Sequence, residues 1–150
     1  MSDRPTIRRA RPDEIDAVLD FWRRAAEGTS ISDDRAGVAR LLERDPEALL
    51  VAELPGEGGL VGTVIAGWDG WRSHLYRLAV DPGLRRRGIA RALLDAAEER
   101  FRALGGRRGD AMVLDRNELG RSAWRAAGYA PEPQWTRWTK PLTGRTAQEN

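Results

Sequence analysis

The sequence predicts an α/β fold of the layered α+β kind: one mixed, mostly antiparallel sheet with helices on both faces. Three observations predict it. The chain has 150 residues, enough for one domain with one sizeable core. Apolar residues recur at helical spacing in some stretches and as short β-type runs bounded by Gly and Pro in others. The resulting order, β-α-α-β-β-β-α-β-α-β, places helices before, between and after strands of one sheet.

Residues 5–9 (PTIRR) read as a short first strand. Pro12 suits a first helical turn, and Asp13, Glu14 and Asp16 suit the positive end of a helix dipole. Ile15, Val18, Leu19 and Trp22 then mark an amphipathic helix to about Glu27. After a polar break, Ser32 or Asp33 caps a second helix carrying Val38, Leu41 and Leu42, which stops before Asp45-Pro46.

Three strands follow as an antiparallel meander: Ala48–Leu54, Leu60–Trp68 and Trp71–Val80. Pro55–Gly59 turns the first corner, and Asp69-Gly70 is a hairpin signal at the second. Along the third strand His74, Tyr76, Leu78 and Val80 alternate, which predicts that all four share one face. Asp81–Arg87 is a loop. Ile89, Leu93, Ala97, Phe101 and Leu104 mark a helix closed by Gly105-Gly106. Asp110–Asp115 is a strand reached by a parallel crossover, right-handed by the general rule. Asn117 opens a short helix to about Ala127, and Gln134–Pro141 is a last strand. The expected domain is 1–142, with 143–150 a frayed tail.

Composition narrows the chemistry. Cysteine is absent, which excludes disulfides, thiol nucleophiles and thiolate metal sites, and a single histidine argues against a metal centre. No apolar run reaches a membrane span, and the charged start has no signal-peptide core, so a cytoplasmic protein without membrane partners is expected. Of 25 basic residues 24 are Arg and one is Lys140, yet 23 acids balance them. Acids interrupt every basic stretch, so nucleic acid is not the expected partner.

The most informative stretch is Leu78-Ala79-Val80-Asp81-Pro82-Gly83-Leu84-Arg85-Arg86-Arg87-Gly88-Ile89-Ala90. A strand ends, a basic turn follows, and a long helix starts. First-turn amides have no partner within their helix and carry partial positive charge, so they form an anion site. Gly88 and small Ala90 let an anion approach the backbone, and Arg85, Arg86 and Arg87 add charge. The plainer reading is a loop of solvated arginines.

In this stretch Arg85-x-x-Gly88-x-Ala90 resembles the R/Q-x-x-G-x-G/A signature of the Gcn5-related N-acetyltransferases (GNAT). The resemblance runs from Ile7 to about Leu142 and includes Asn117 and Gly128-Tyr129. The run Gly62–Arg72 is similar to a small bacterial branch of that family. The resemblance implies a GNAT-like V-shaped splay between the fourth and fifth strands, and acetyl-CoA as co-substrate. It implies that amides from Arg86 to Ala90, including that of Ile89, hold the pyrophosphate. Leu78, Ala79 and Val80 would pair with the pantetheine arm, and one of their amides would polarise the thioester carbonyl. Asn117 would bond the pantetheine, a helix N-cap being the alternative. In many members a tyrosine seven residues after this asparagine acts as acid; here that position is Trp124, whose indole is no useful proton donor.

Acetyl transfer to an amine needs the neutral amine, so a proton must leave. His74, with an unperturbed imidazole near about 6.5, is a candidate base and Tyr76 a candidate acid or positioning hydroxyl. The alternatives are an exposed strand histidine and a core tyrosine, or a desolvated amine that needs no strong base. The acceptor walls are expected at Glu27–Asp34, Trp68–Arg72 and Gln134–Trp138. Trp68 offers a stacking face, Asp69 attracts a cation or serves the turn, and Arg72 receives a carboxylate. Glu27, Asp33 and Asp34 add negative charge. The expected activity is acetyl transfer from acetyl-CoA to a primary amine of a small molecule or peptide. The alternative is an acyl-CoA-binding or regulatory domain with little turnover. A homodimer stays open.

Overall fold

A computed structural model describes residues 4–28 and 30–143. The elements are β1 (Thr6–Arg9), a 3-10 turn (Pro12–Glu14), α1 (Ile15–Ala25), α2 (Arg35–Arg44), β2 (Leu49–Glu53), β3 (Gly62–Trp68), β4 (Ser73–Val80), a 3-10 turn (Pro82–Leu84), α3 (Ile89–Leu104), β5 (Gly109–Ala111) and α4 (Glu118–Ala126). The sheet has five strands in the order β1-β2-β3-β4-β5. The first three pairings are antiparallel and β4–β5 is parallel. The expected mixed, mostly antiparallel sheet is therefore present.

Each face of the sheet carries its own core. On one face α1 and α2 bury Val18, Leu19, Trp22, Val38 and Leu42 against Leu49, Val51 and Ala79. On the other, α3 buries Ile89, Leu93, Leu94, Ala97 and Phe101 against Ala52, Val64, Ala66 and Leu75, with Trp124 of α4. The periodicity of α1 and α3 in the sequence is thus the periodicity of their buried stripes. Helix α3 lies close to β3 because Gly62 has no side chain. A Cβ there would come within 2.8 Å of Ile89 Cγ2 and 2.9 Å of Leu93 Cδ1. This seats the start of α3 against the sheet near the end of β4, since Gly62 pairs with Val80.

Strand β4 does not keep the alternation expected of it. Thr63 pairs with Ala79 and Ile65 with Tyr76, so two steps on β3 face three on β4. The extra residue is a β-bulge, and Arg77 takes a left-handed φ of 53°. Before the bulge Leu75 faces α3; after it Leu78 and Val80 do. His74 and Tyr76 therefore do not share a face with Leu78 and Val80. They lie on the side of α1 and α2, as Ala79 does.

Four further expectations are corrected. The cap of α2 is Asp34, whose carboxylate accepts from the Gly37 N–H at 2.8 Å, and not Ser32 or Asp33. The first helix ends at Ala25, and Trp71 and Arg72 precede β4. Gln134–Pro141 forms no strand: Trp135 and Trp138 are 73% and 91% exposed. The ladder that it needs is missing, because β5 is only three residues long and Pro131 and Pro133 interrupt the approach. A groove of about 940 Å³ lies there instead, between β5, the end of α3 and residues 129–137. Of the expected tail, 144–150 lie outside the described residues.

Candidate active site

The turn before α3 is built as its residues require. Gly88 is the N-cap of α3 with φ 78°, and Arg86 is also left-handed at φ 65°. The first-turn N–H groups of α3, Ile89 to Arg91, have no acceptor within their own helix. No heavy atom lies within 4 Å of where a Gly88 Cβ would be, apart from its chain neighbours. Here glycine serves the positive φ and leaves the front of the turn open. Arg85, Arg86 and Arg87 are exposed around it, while the Ile89 side chain is buried beneath. Asp81 is the one nearby acid on the strand side. Its carboxylate accepts from the Gly83 N–H and from Arg24, which hold it below the usual carboxylate range and neutralise its charge.

The sheet opens beside this turn. Strands β4 and β5 pair only from Ser73↔Gly109 to Leu75↔Ala111. From Tyr76 onward the β5 side of β4 has no ladder partner among the described residues, which is the V-shaped splay. Leu78, Ala79 and Val80 line its upper arm; Leu78 and Val80 pack toward α3, and Ala79 is buried toward α1. Asn117 caps α4 across the opening, its Oδ1 accepting from the Gly120 N–H at 2.9 Å. Among the described residues the amide nitrogen of Asn117 has no acceptor. Arg91 ties the two helices together by donating to the Ala126 carbonyl at 3.3 Å.

The family described as the acetyltransferase (GNAT) family matches residues 15–129. The chain belongs to the GNAT family. It is an acetyltransferase, and the expectation of acetyl-CoA as co-substrate stands with that class. A curated acetyltransferase of Pectobacterium atrosepticum is 38% identical over 112 residues, or 75% of this chain and 78% of the relative. A solved aminoglycoside N-acetyltransferase in complex with CoA superposes with a TM-score of 0.75 at 18% identity, over 93% of this chain and 97% of that one. A diaminobutyrate acetyltransferase from Paenibacillus lautus, solved with L-2,4-diaminobutyric acid and coenzyme A, gives 0.67 at 21% identity, over 83% and 75%. At these identities the two solved structures carry the fold.

On the α1 and α2 face of this GNAT domain a polar cluster forms. His74 and Tyr76 stack with ring centroids 6.1 Å apart. The Tyr76 ring lies over Gly67, where a Cβ would come within 3.3 Å of it. Burial, and then the charge of Asp69, raise the Tyr76 phenol above its ordinary range, so it stays protonated. Asp69 sits in the β3–β4 turn. Its Oδ1 accepts from the Trp71 and Arg72 N–H groups at 2.8 and 2.6 Å. Its Oδ2 stands 3.4 Å from His74 Nε2. Arg72 stacks on Trp71 at 4.5 Å and reaches toward Asp110 at 3.8 Å. Trp68 is not part of the cluster. By alternation along β3 it belongs with Val64 and Ala66 on the α3 side.

Sequence reasoning missed Arg77. Its guanidinium pairs with Asp33 and donates to the Glu27 carbonyl at 3.2 Å. Its carbonyl accepts from the Thr63 hydroxyl, which in turn accepts from Trp22 Nε1, both at 2.9 Å. The bulge is thus fixed at its backbone and at its side chain. Asp33 is committed to this pair and is not free to attract a cation. Trp124 is 8% exposed and meets Tyr129 edge-on at 5.0 Å, as a core residue. Tyr129 donates to Glu98 at 2.8 Å; burial and that carboxylate raise its phenol pKa.

Proposed function

We propose that this acetyltransferase moves an acetyl group directly from acetyl-CoA to a primary amine of a small molecule or peptide. One observation carries the reading: the open first-turn N–H groups of α3, Ile89 to Arg91, behind a left-handed Gly88 and beside a parallel strand pair that opens after three residues. A diphosphate satisfies the first feature. An extended pantetheine arm, which offers amide groups of its own, satisfies the second. Arg85, Arg86, Arg87, Gly88, Ile89 and Ala90 hold the diphosphate, Leu78, Ala79 and Val80 the arm, and the Asn117 amide nitrogen adds a donor.

The amine approaches on the α1 and α2 side, framed by the Glu27–Asp34 loop and the Trp68–Arg72 turn. The amine nitrogen bonds to the thioester carbonyl carbon, the carbon–sulfur bond breaks, and CoA leaves as its thiolate. His74 takes the proton that the amine loses, directly or through water, and the Tyr76 hydroxyl orients the reactants or donates to the sulfur. Asp69 and Arg72 frame the entrance. The catalytic unit is 1–142, acting in the cytoplasm, without nucleic acid or membrane, alone or as a homodimer.

Calorimetry with acetyl-CoA and CoA release against a panel of amines test this. Wild type should bind acetyl-CoA, and Gly88→Val should lose at least about tenfold in affinity, because a β-branched residue disfavours the left-handed φ that aims the amides. His74→Ala should lose most turnover and the acid limb of the pH–rate profile. Folded wild type that takes up no acetyl-CoA would overturn the proposal. The buried Trp124 favours one second reading, an acyl-CoA-binding domain; tight uptake with no release on any amine would establish it.

A further inference from the structure

We infer that Asp69 is a positioning residue for His74: it takes the Nε2 proton and leaves Nδ1 as the basic atom. This rests on the proposal that His74 is the base. Two contacts define the geometry. The turn freezes the carboxylate through Oδ1, which accepts from two backbone N–H groups. Oδ2 is thereby set facing His74 Nε2 at 3.4 Å, across only five residues of chain.

An ordinary surface pair is weak because two side chains must be ordered to form it. Here the hairpin has ordered one of them already, and β4 with the Tyr76 stack constrains the other. The same two N–H groups, Arg72 first and then Trp71, keep the Asp69 carboxyl below its usual range, so it is an anion and can only accept. An accepting anion at Nε2 selects the tautomer with the proton there. Among the described residues Nδ1 has no hydrogen-bond partner, so its lone pair remains available for an incoming proton. The bond fixes the ring plane as well as the tautomer, a role that carboxylates play toward imidazoles generally.

Asp69→Asn separates this role from the turn. Asparagine keeps Oδ1 for the two backbone N–H groups and replaces Oδ2 with an amino group, which cannot accept. His74 is the only histidine in the chain, so long-range proton–nitrogen correlation of the uniformly labelled protein reports it without assignment. At alkaline pH, where the ring is neutral, wild type should show a protonated Nε2 and a bare Nδ1, and Asp69→Asn should shift the ring toward protonated Nδ1. On the most rapidly acetylated amine of the panel, kcat should fall about tenfold with the KM for acetyl-CoA unchanged. In a His74→Ala background the Asp69→Asn change should cost nothing further.

An unaltered tautomer in Asp69→Asn, or a full additional loss in the His74→Ala background, would overturn the inference. If the tautomer shifts but His74→Ala retains full turnover, the base assignment falls and the positioning role with it, while Asp69 still orients the ring. Asp69→Ser, whose hydroxyl also caps the turn, guards against misfolding of the first variant.

Discussion

The Arg77 guanidinium grips both oxygens of Asp33, Nε to Oδ1 at 3.1 Å and Nη2 to Oδ2 at 2.5 Å, with only 12% and 20% of the two side chains exposed. This contact joins the loop after α1 to the bulge of β4, forty-four residues further along the chain. It fixes that loop to the strand that carries His74 and Tyr76.

Arg77→Gly and Arg77→Ala should therefore differ. Both lose the pair and should be less stable than wild type by about 1–3 kcal/mol, since the mostly buried Asp33 carboxylate is left with the Ser30 N–H but no counter-charge. Only alanine retains a Cβ at φ 53°, so glycine should be the milder by about 1 kcal/mol. Urea unfolding of the three proteins measures the order.

Gly62→Ala should destabilise by about 1–3 kcal/mol, because the new methyl meets Ile89, Leu93 and the Ala79 carbonyl within 3.2 Å. The start of α3 has to retreat from the sheet. Acetyl-CoA affinity should fall together with stability, whereas a cavity mutation at the far end of α3, such as Phe101→Leu, should lower stability alone. Calorimetry on both variants makes the comparison.

The Arg8–Glu14–Glu53 cluster makes stability depend on acid. Hydrogen bonds from Arg8, with a further one from the Arg11 N–H, outweigh burial and lower the Glu14 carboxyl from its ordinary 4.5 to about 2. The folded value is the lower one, so this stabilisation is complete above about pH 4.5 and is lost as pH falls toward about 2. Unscreened, that depression corresponds to about 3 kcal/mol; with the partly open rim of the cluster a loss of about 1–2 kcal/mol is expected. Glu14→Gln should remove this part of the acid dependence, as thermal melts across the range would show.

Trp124→Tyr should not raise turnover. The side chain at this position belongs to the core beside α3 and touches Tyr129, so a phenol there is not directed at the opening between β4 and β5. Trp124→Ala should cost about 3–5 kcal/mol, as loss of a buried indole does. A tyrosine variant with higher kcat would show that the position faces the thiol after all.

Much of the layout was legible because it rests on local rules. The stripes of α1 and α3 follow from helical spacing, the hairpin from Asp69-Gly70, and the turn at Gly88 from a glycine between arginines and an apolar helix. The bulge was not legible. A period-two pattern reads straight through His74, Tyr76, Leu78 and Val80, and the signal against it, a left-handed Arg77, depends on Thr63, Trp22 and Asp33 from three other segments. Residues 134–141 have strand composition, but a strand also needs a neighbour, and β5 ends too soon to supply one. Gly62 and Gly67 read as ordinary strand glycines until the groups above them are known.

The single surplus residue of β4 works as a change of parity. Keep Arg77 but flatten the bulge, and plain alternation past Tyr76 would swing Leu78 and Val80 into the space sized for the Ala79 methyl, while Ala79 left a hollow beneath α3. Each helical layer is tailored to a ribbon with one odd step in it. Loss of Arg77 would therefore spare both faces, whereas one further residue between Tyr76 and Ala79 that no second bulge absorbed would turn this end of β4 inside out.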